Sequence, residues 1–337
     1  MSKIKLHSHS KIIKSFPKMK NRIRFTAILL LLSLLSFAQK DSCKIGVYVN
    51  SIYDFKIDDK SYMIDFWMWM NYKNDSLDFQ NNQDITNSKS ADFSHYTKEK
   101  KGAINWASQK CKAQMMHQWD VSNFPFDKQK LTIEIEHTEK DTSGMIYVAD
   151  KLNSKMDPGF TTAEWNIDSF TVKDQVKTYA TTYGNPSLTG NSTYPQLVVE
   201  ISIQRNHSWL LLFKLLTGAY VAFLISSLVF FISSENQDSR FGLCVGGLFA
   251  AIGNKYITES VVPSSNTITL MDYVHNLTFG FILLIVVISI VSLRLFESED
   301  NRKRELSLKI DKVSFWSVLF FYIVINILLV VFAFKHS

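Results

Sequence analysis

Two hydrophobic patterns divide this chain. Between residues 43 and 204 the apolar positions recur with period two, in KIGVYVNSIYDF (44–55), SYMIDFWMWMNY (61–72), KLTIEIEH (130–137), WNIDSFTVK (165–173) and PQLVVEISIQ (195–204). Alternating β-branched and aromatic runs, parted by turns rich in Asp, Asn, Ser and Gly, predict the strands of an all-β, immunoglobulin-like sandwich. After Trp209 the alternation gives way to continuous apolar runs at 209–232, 270–295 and 313–334, each long enough to cross a bilayer as a helix. A further run, 239–259, is apolar but made of small residues, with Asn254 and Lys255 inside it. A helix facing lipid on all sides has no use for those two groups. The expectation is a sandwich at 39–206 followed by an all-α, four-helix transmembrane domain at 207–337. Strand residues run to Gln204 and membrane residues begin at Trp209, so no linker separates the two parts.

Residues 1–38 change how the charge is understood. They hold eight cations and no acid, followed by an apolar run of about a dozen residues and small residues at Ser36 and Ala38. That order predicts a secretory signal peptide cut before Gln39, since the apolar run is shorter than the ~20 residues of a span. Removing the eight cations from the formal +6 leaves −2, so the basic pI reflects targeting and gives no reason to expect nucleic acid as a partner. Export of the sandwich places the loop 297–312, with Arg302, Lys303, Arg304, Lys309 and Lys312, in the cytoplasm and the C-terminus outside. The localisation expected is a multi-pass inner-membrane protein with a periplasmic or extracellular N-terminal domain. Cys43 and Cys111 of the exported part either pair in an oxidising compartment or remain two free thiols, the latter preferred.

The 239–259 helix carries the most informative face. At 100° per residue, Asp238, Gly242, Val245, Phe249, Ile252, Tyr256 and Ser260 fall within about 40° of one line, and Glu259 lies about 60° away. An acid at one end, small residues and one Phe in the middle and polar groups at the other end suit a pore lining, since acid rings concentrate cations and bulky apolar rings gate by dewetting. The other explanation is that Gly242, Gly246 and Gly253 let a neighbouring helix pack closely. No metalloprotease, redox, hydrolase or phosphate-loop motif occurs, so neither an enzyme nor a cofactor or metal site is expected, and His117, His137 and His207 are taken as solvated strand-end residues.

The stretch WDVSNFPFDKQKL (119–131) resembles the signature loop of the pentameric ligand-gated ion channels, the Cys-loop receptor family. Phe124, Pro125, Phe126 and Asp127 match its aromatic-Pro-aromatic-Asp core, and Gln129 fits the following position. His117 and Leu131 stand where eukaryotic members have cysteines, which is similar to prokaryotic members lacking that disulfide. Glu164, Trp165, Arg205, four spans and Pro263 follow in the family's order. The resemblance implies a homopentamer in which the sandwich receives a small-molecule ligand or a proton and opens a pore lined by the second helix. Phe124, Pro125, Phe126 and Asp127 would pass the motion on, Asp127 pairing with Arg205, pressing near residues 260–266 and joined by Asp58 or Asp59 and by Pro263.

The resemblance also implies a ligand site between subunits, with Tyr183 and Tyr194 at the base of a capping hairpin (181–195) and Trp69 or Tyr72 from the neighbour, suited to an amine through cation–π contacts. Two departures stand out. The segment 137–145, where the family keeps a central tryptophan, has no Trp, Tyr or Phe, and the pore line offers Gly, Val, Phe and Tyr instead of small polar residues and Leu. Permeant cations and membrane lipid are the remaining expected partners. The rivals are a non-conducting envelope receptor on the same scaffold and a membrane-anchored binding module.

Overall fold

The computed structural model describes residues 40–186, 189–262 and 267–336. The leader and Pro263 therefore lie outside the described residues. Among the described residues ten strands come first: β1 (Asp41–Lys56), β2 (Ser61–Tyr72), β3 (Gln83–Ile85), β4 (Ser88–Lys101), β5 (Ile104–Met116), β6 (Lys128–His137), β7 (Met145–Ala149), β8 (Lys155–Met156), β9 (Trp165–Tyr179) and β10 (Ser192–Arg205). One sheet runs β4-β5-β2-β1-β7 with β8 on β1, and the other runs β3-β6-β10-β9, giving a β-sandwich-like region.

Alternation explains the core. On β2 the even positions Tyr62, Ile64, Phe66, Met68, Met70 and Tyr72 are buried, and they face Leu131, Ile133 and Ile135 of β6 and Leu197, Val199 and Ile201 of β10 in one cluster. Tyr72 therefore cannot face a neighbour's cleft: its ring packs 4.7 Å from Phe79 inside the sandwich, while Trp69 points outward. The alternation at 61–72 left this open, because both faces of β2 carry large aromatic or aliphatic residues, Trp67 and Trp69 beside Asp65 and Asn71 on one and Tyr62, Phe66 and Tyr72 on the other. His137 is buried as well, its Nδ1 accepting from the amides of Glu139 and Lys140, so it is not a solvated strand end. Cys43 and Cys111 are free and buried.

Four helices follow among the described residues: α1 (Ser208–Ser227, continued by a 3-10 turn Leu228–Phe231), α2 (Gln237–Val261), α3 (Leu270–Phe296) and α4 (Asn301–Lys335). Among the described residues three are long and apolar enough to cross a membrane, namely Ser208–Phe231, α3 and α4. The expected fourth, α2, is not one of them: Asp238, Arg240, Lys255 and Glu259 lower its hydropathy although its 25 residues are long enough. Local chemistry sets the starts. Thr269 and Asp272 form a reciprocal capping box on α3, and the Asp300 carboxylate accepts the Arg302 amide at the start of α4. Much of the expected cytoplasmic loop 297–312 is thus helix, the first three turns of α4.

Candidate functional site

Three places matter: the loop between β5 and β6, the exposed face of α2, and two aromatic surfaces on the sandwich.

The loop is held in shape by Gln129. Its Nε2 donates to the Asp120 carbonyl at 2.7 Å, and its Oε1 accepts the Asp120 amide at 3.2 Å, bracing the loop across its neck without a disulfide. Asp127 is fully buried and accepts a forked pair of hydrogen bonds from Arg205, Nε at 2.8 Å and Nη2 at 3.1 Å. The guanidinium lies between aromatic faces, 4.8 Å from the Phe124 centroid and 4.4 Å from that of Trp165. A planar cation that stacks and forks at once is held in one orientation.

From this frame the loop rests on helix ends. Phe124 and Phe126 join one apolar cluster with Leu212, Leu215 and Leu216 of α1, Leu270, Met271 and Val274 of α3, and Ala333 of α4. The Phe126 ring lies 4.8 Å from Trp209 and 5.5 Å from Phe334. The Ser122 carbonyl accepts the Leu270 amide at 3.0 Å, and Asn123 Nδ2 donates to the His336 carbonyl at 3.0 Å. The loop therefore sits on α1, α3 and α4, with α2 reached at the edge through Val262. Links onward to α2 exist: His275 Nε2 lies 3.0 Å from Asn254 Oδ1, and Thr258 Oγ1 donates to the Leu215 carbonyl at 3.3 Å. Asp59 is drawn away from the helices by Lys89 at 2.8 Å and by Ser61, and it is Ile57 of the same turn that packs against the junction cluster. Those partners hold the Asp59 carboxyl below its ordinary value, the Lys89 hydrogen bond first.

The two faces of α2 differ in kind. Arg240, Cys244, Gly247, Ala251 and Thr258 are buried against the rest of the bundle. A Cβ on Gly247 would collide with Ser226 and with the Ala222 carbonyl, so glycine is needed there for α1 and α2 to meet. On the opposite face a Cβ on Gly242, Gly246 or Gly253 would meet nothing, and Asp238, Val245, Phe249, Tyr256, Glu259 and Ser260 are exposed, with Ile252 half-buried. Phe249 is 68% exposed and Tyr256 70%. The close-packing explanation for Gly242 and Gly246 therefore does not hold within one chain. Lys255 lies 3.5 Å from Glu259 and 3.9 Å from Asp272, so the acids at the C-terminal end of α2 have a cation among them.

The aromatic surfaces lie on different sheets. Tyr183 and Tyr194 are brought together at 6.3 Å between ring centroids, and Tyr179, which the sequence pattern did not single out, lies 5.9 Å from each. Beneath them the Tyr179 hydroxyl donates to Glu136 at 2.8 Å, and burial pushes the Glu136 carboxyl above its ordinary value. On the outer face of the other sheet, Trp69 lines a cavity of about 400 Å³ with Trp67, Trp106 and Asp150. Its indole Nε1 donates to Asp150 at 3.2 Å, and Asp150 is also paired with Lys44 at 2.9 Å. The indole lies flat on β1 because residue 46 is glycine: a Cβ there would fall 2.5 Å from Trp69 Cζ2. No group of His, Cys, Asp and Glu fit to hold a metal occurs among the described residues.

A scan against protein-family models finds no match, and a search of curated proteins finds none either.

Proposed function

We propose that this chain is one subunit of a homopentameric ligand-gated ion channel of a bacterial cell envelope, selective for cations, with α2 as its fourth span and pore wall. The observation that carries the proposal is the unpartnered face of α2. It grades from Asp238 through Gly242 and Val245 to the exposed rings of Phe249 and Tyr256, while the opposite face is packed by small residues. A lipid-facing helix needs no such gradient, and five copies around an axis would give a constriction at Phe249 and a ring of acids at the inner mouth.

The junction supports a gating route. Motion of the immunoglobulin-like sandwich would reach the bundle through Phe124–Asp127 and Arg205, then α2 through the contacts of α3 and α1 with Asn254 and Thr258. The tyrosine trio of one subunit and the Trp69 cavity of the next would form the ligand site, for a small organic molecule or a proton. Membrane lipid would cover the apolar outer faces of α3 and α4. The signal peptide, periplasmic sandwich and external C-terminus belong to the same proposal.

The test is electrical. Wild type and Phe249→Ala are expressed in oocytes or planar bilayers, and current is recorded under asymmetric salt. The channel requires a leak specific to Phe249→Ala that reverses near the cation potential and weakens with Asp238→Asn. Silence from both, with surface oligomer confirmed, contradicts it. That silence would favour a non-conducting receptor on the same scaffold, which the two bulky rings and the Lys255–Glu259 pair make the second choice.

A further inference from the structure

Arg240 stands two residues beyond Asp238 but on the other side of α2. Its side chain is 3% exposed. Nε and Nη2 donate to the Ile232 carbonyl at 3.1 Å and 2.6 Å, and Nη2 pairs with Asp311 of α4. Asp311 also accepts from Ser234 at 3.1 Å, and Ser234, Ser292 and Ser307 bond to one another around it. The hydropathy pattern left Asp311 in a polar loop; the helix that begins at Asn301 carries it into the bundle instead.

The electrostatic consequence is specific. Two opposite charges in contact and sealed from water project little field, so the inner end of α2 presents the acids Glu235 and Asp238, both exposed. A guanidinium keeps its proton when its partner is lost. Without Asp311, Arg240 would act on the same space from across a helix about 10 Å wide. We propose that Asp311 determines ion selectivity from behind the pore wall, by neutralising Arg240 so that Asp238 acts unopposed at the inner mouth. This rests on the channel function proposed above and adds α4 to the parts that select the ion.

The test uses full-length protein carrying Phe249→Ala as the conducting parent, with reversal potentials measured in asymmetric salt. Asp311→Asn is expected to lower the cation-to-anion permeability ratio about sixteenfold, and Arg240→Gln not to lower it. One unit charge about 10 Å away at an effective dielectric of about 40 weights the cation about fourfold one way and the anion about fourfold the other. Combining the two substitutions restores the parental ratio. Where Asp311→Asn alone does not assemble, mixing it with parental subunits gives the same shift in proportion to dose. Currents whose selectivity Asp311→Asn leaves unmoved, or that both single changes lower, overturn this inference and leave the channel standing. Absence of current from the parent and every variant, with surface oligomer present, overturns both.

Discussion

Phe66 in β2 and Phe249 in α2 are the same side chain in two regular elements, yet the first is wholly buried and the second 68% exposed. The sandwich closes on itself: both sheets belong to one chain, and each inward residue meets another. The bundle does not. Its α2 is packed on one side by Gly247 and Ala251 and bare on the other, and α3 and α4 expose Leu283, Val287, Phe320 and Leu328. One region buries its apolar faces within a single chain; the other leaves broad apolar surface exposed.

The largest contrast follows from this pair. Phe66→Ala removes a core ring and should cost about 3–5 kcal/mol of stability, read from thermal unfolding in detergent. Phe249→Ala should stay within about 0.5 kcal/mol of wild type while giving the largest change in current. Equal losses of stability would erase the contrast. Next comes the joint between the regions. Asp127→Asn leaves Arg205 facing a neutral amide between two rings, and should cost about 3 kcal/mol, the low end for a broken buried pair because Arg205 keeps a little exposure. A cost under about 1 kcal/mol, as for an exposed pair, would show that the joint does not hold the regions together.

Adjacent glycines sharpen the comparison within α2. Gly247→Ala pushes Ser226 and the α1 backbone away from α2 and should destabilise by about 1–3 kcal/mol. Gly246→Ala meets open space and should stabilise the helix by about 0.5–1 kcal/mol. A destabilising Gly246→Ala would mean that this face is packed after all.

The smallest effect is in pH. His117 lies beside Trp119, with ring centroids 4.6 Å apart, and burial holds its pKa below the ordinary 6.5. The folded state therefore prefers the neutral ring, and the unfolded chain takes up the proton first. The contribution of His117 is complete above about pH 6.5 and is lost as pH falls from there through the lowered folded value. His117→Gln should flatten that part of the stability profile in a pH series of unfolding midpoints; an unchanged slope would place the loss elsewhere.

Legibility in the sequence also differed between the regions, for physical reasons. Strands β1, β2, β6, β9 and β10 were visible because apolar and polar positions alternate strongly. β4 and β5 were not: β4 is an edge strand with exposed Lys98, Lys100 and Lys101, and β5 turns Asn105, Ala107 and Gln109 inward where large apolar residues would mark a face. The special character of α2 was legible from Asn254, Lys255 and the line through Phe249. The expectation that the Phe124–Asp127 loop presses near residues 260–266 falls largely outside the described residues; its contacts with Trp209, Phe334 and the ends of α3 and α4 were not legible, because they depend on how helix ends meet in space. Glu136, Tyr179 and Asp311 left no sequence signal for the same reason: each gains its surroundings from a distant element.

The central claim is that the bare face of α2 meets water. It is tested most directly by placing single cysteines at Gly242, Val245, Phe249 and Gly253, and at Ala251 on the packed side, in membranes exposed to a charged, membrane-impermeant thiol reagent. The native cysteines are buried and give a low background. The account predicts fast modification of Gly242→Cys, Val245→Cys, Phe249→Cys and Gly253→Cys, and none of Ala251→Cys. Protection of the first four to the same degree as Ala251→Cys would mean that lipid or protein covers this face, and would contradict the claim.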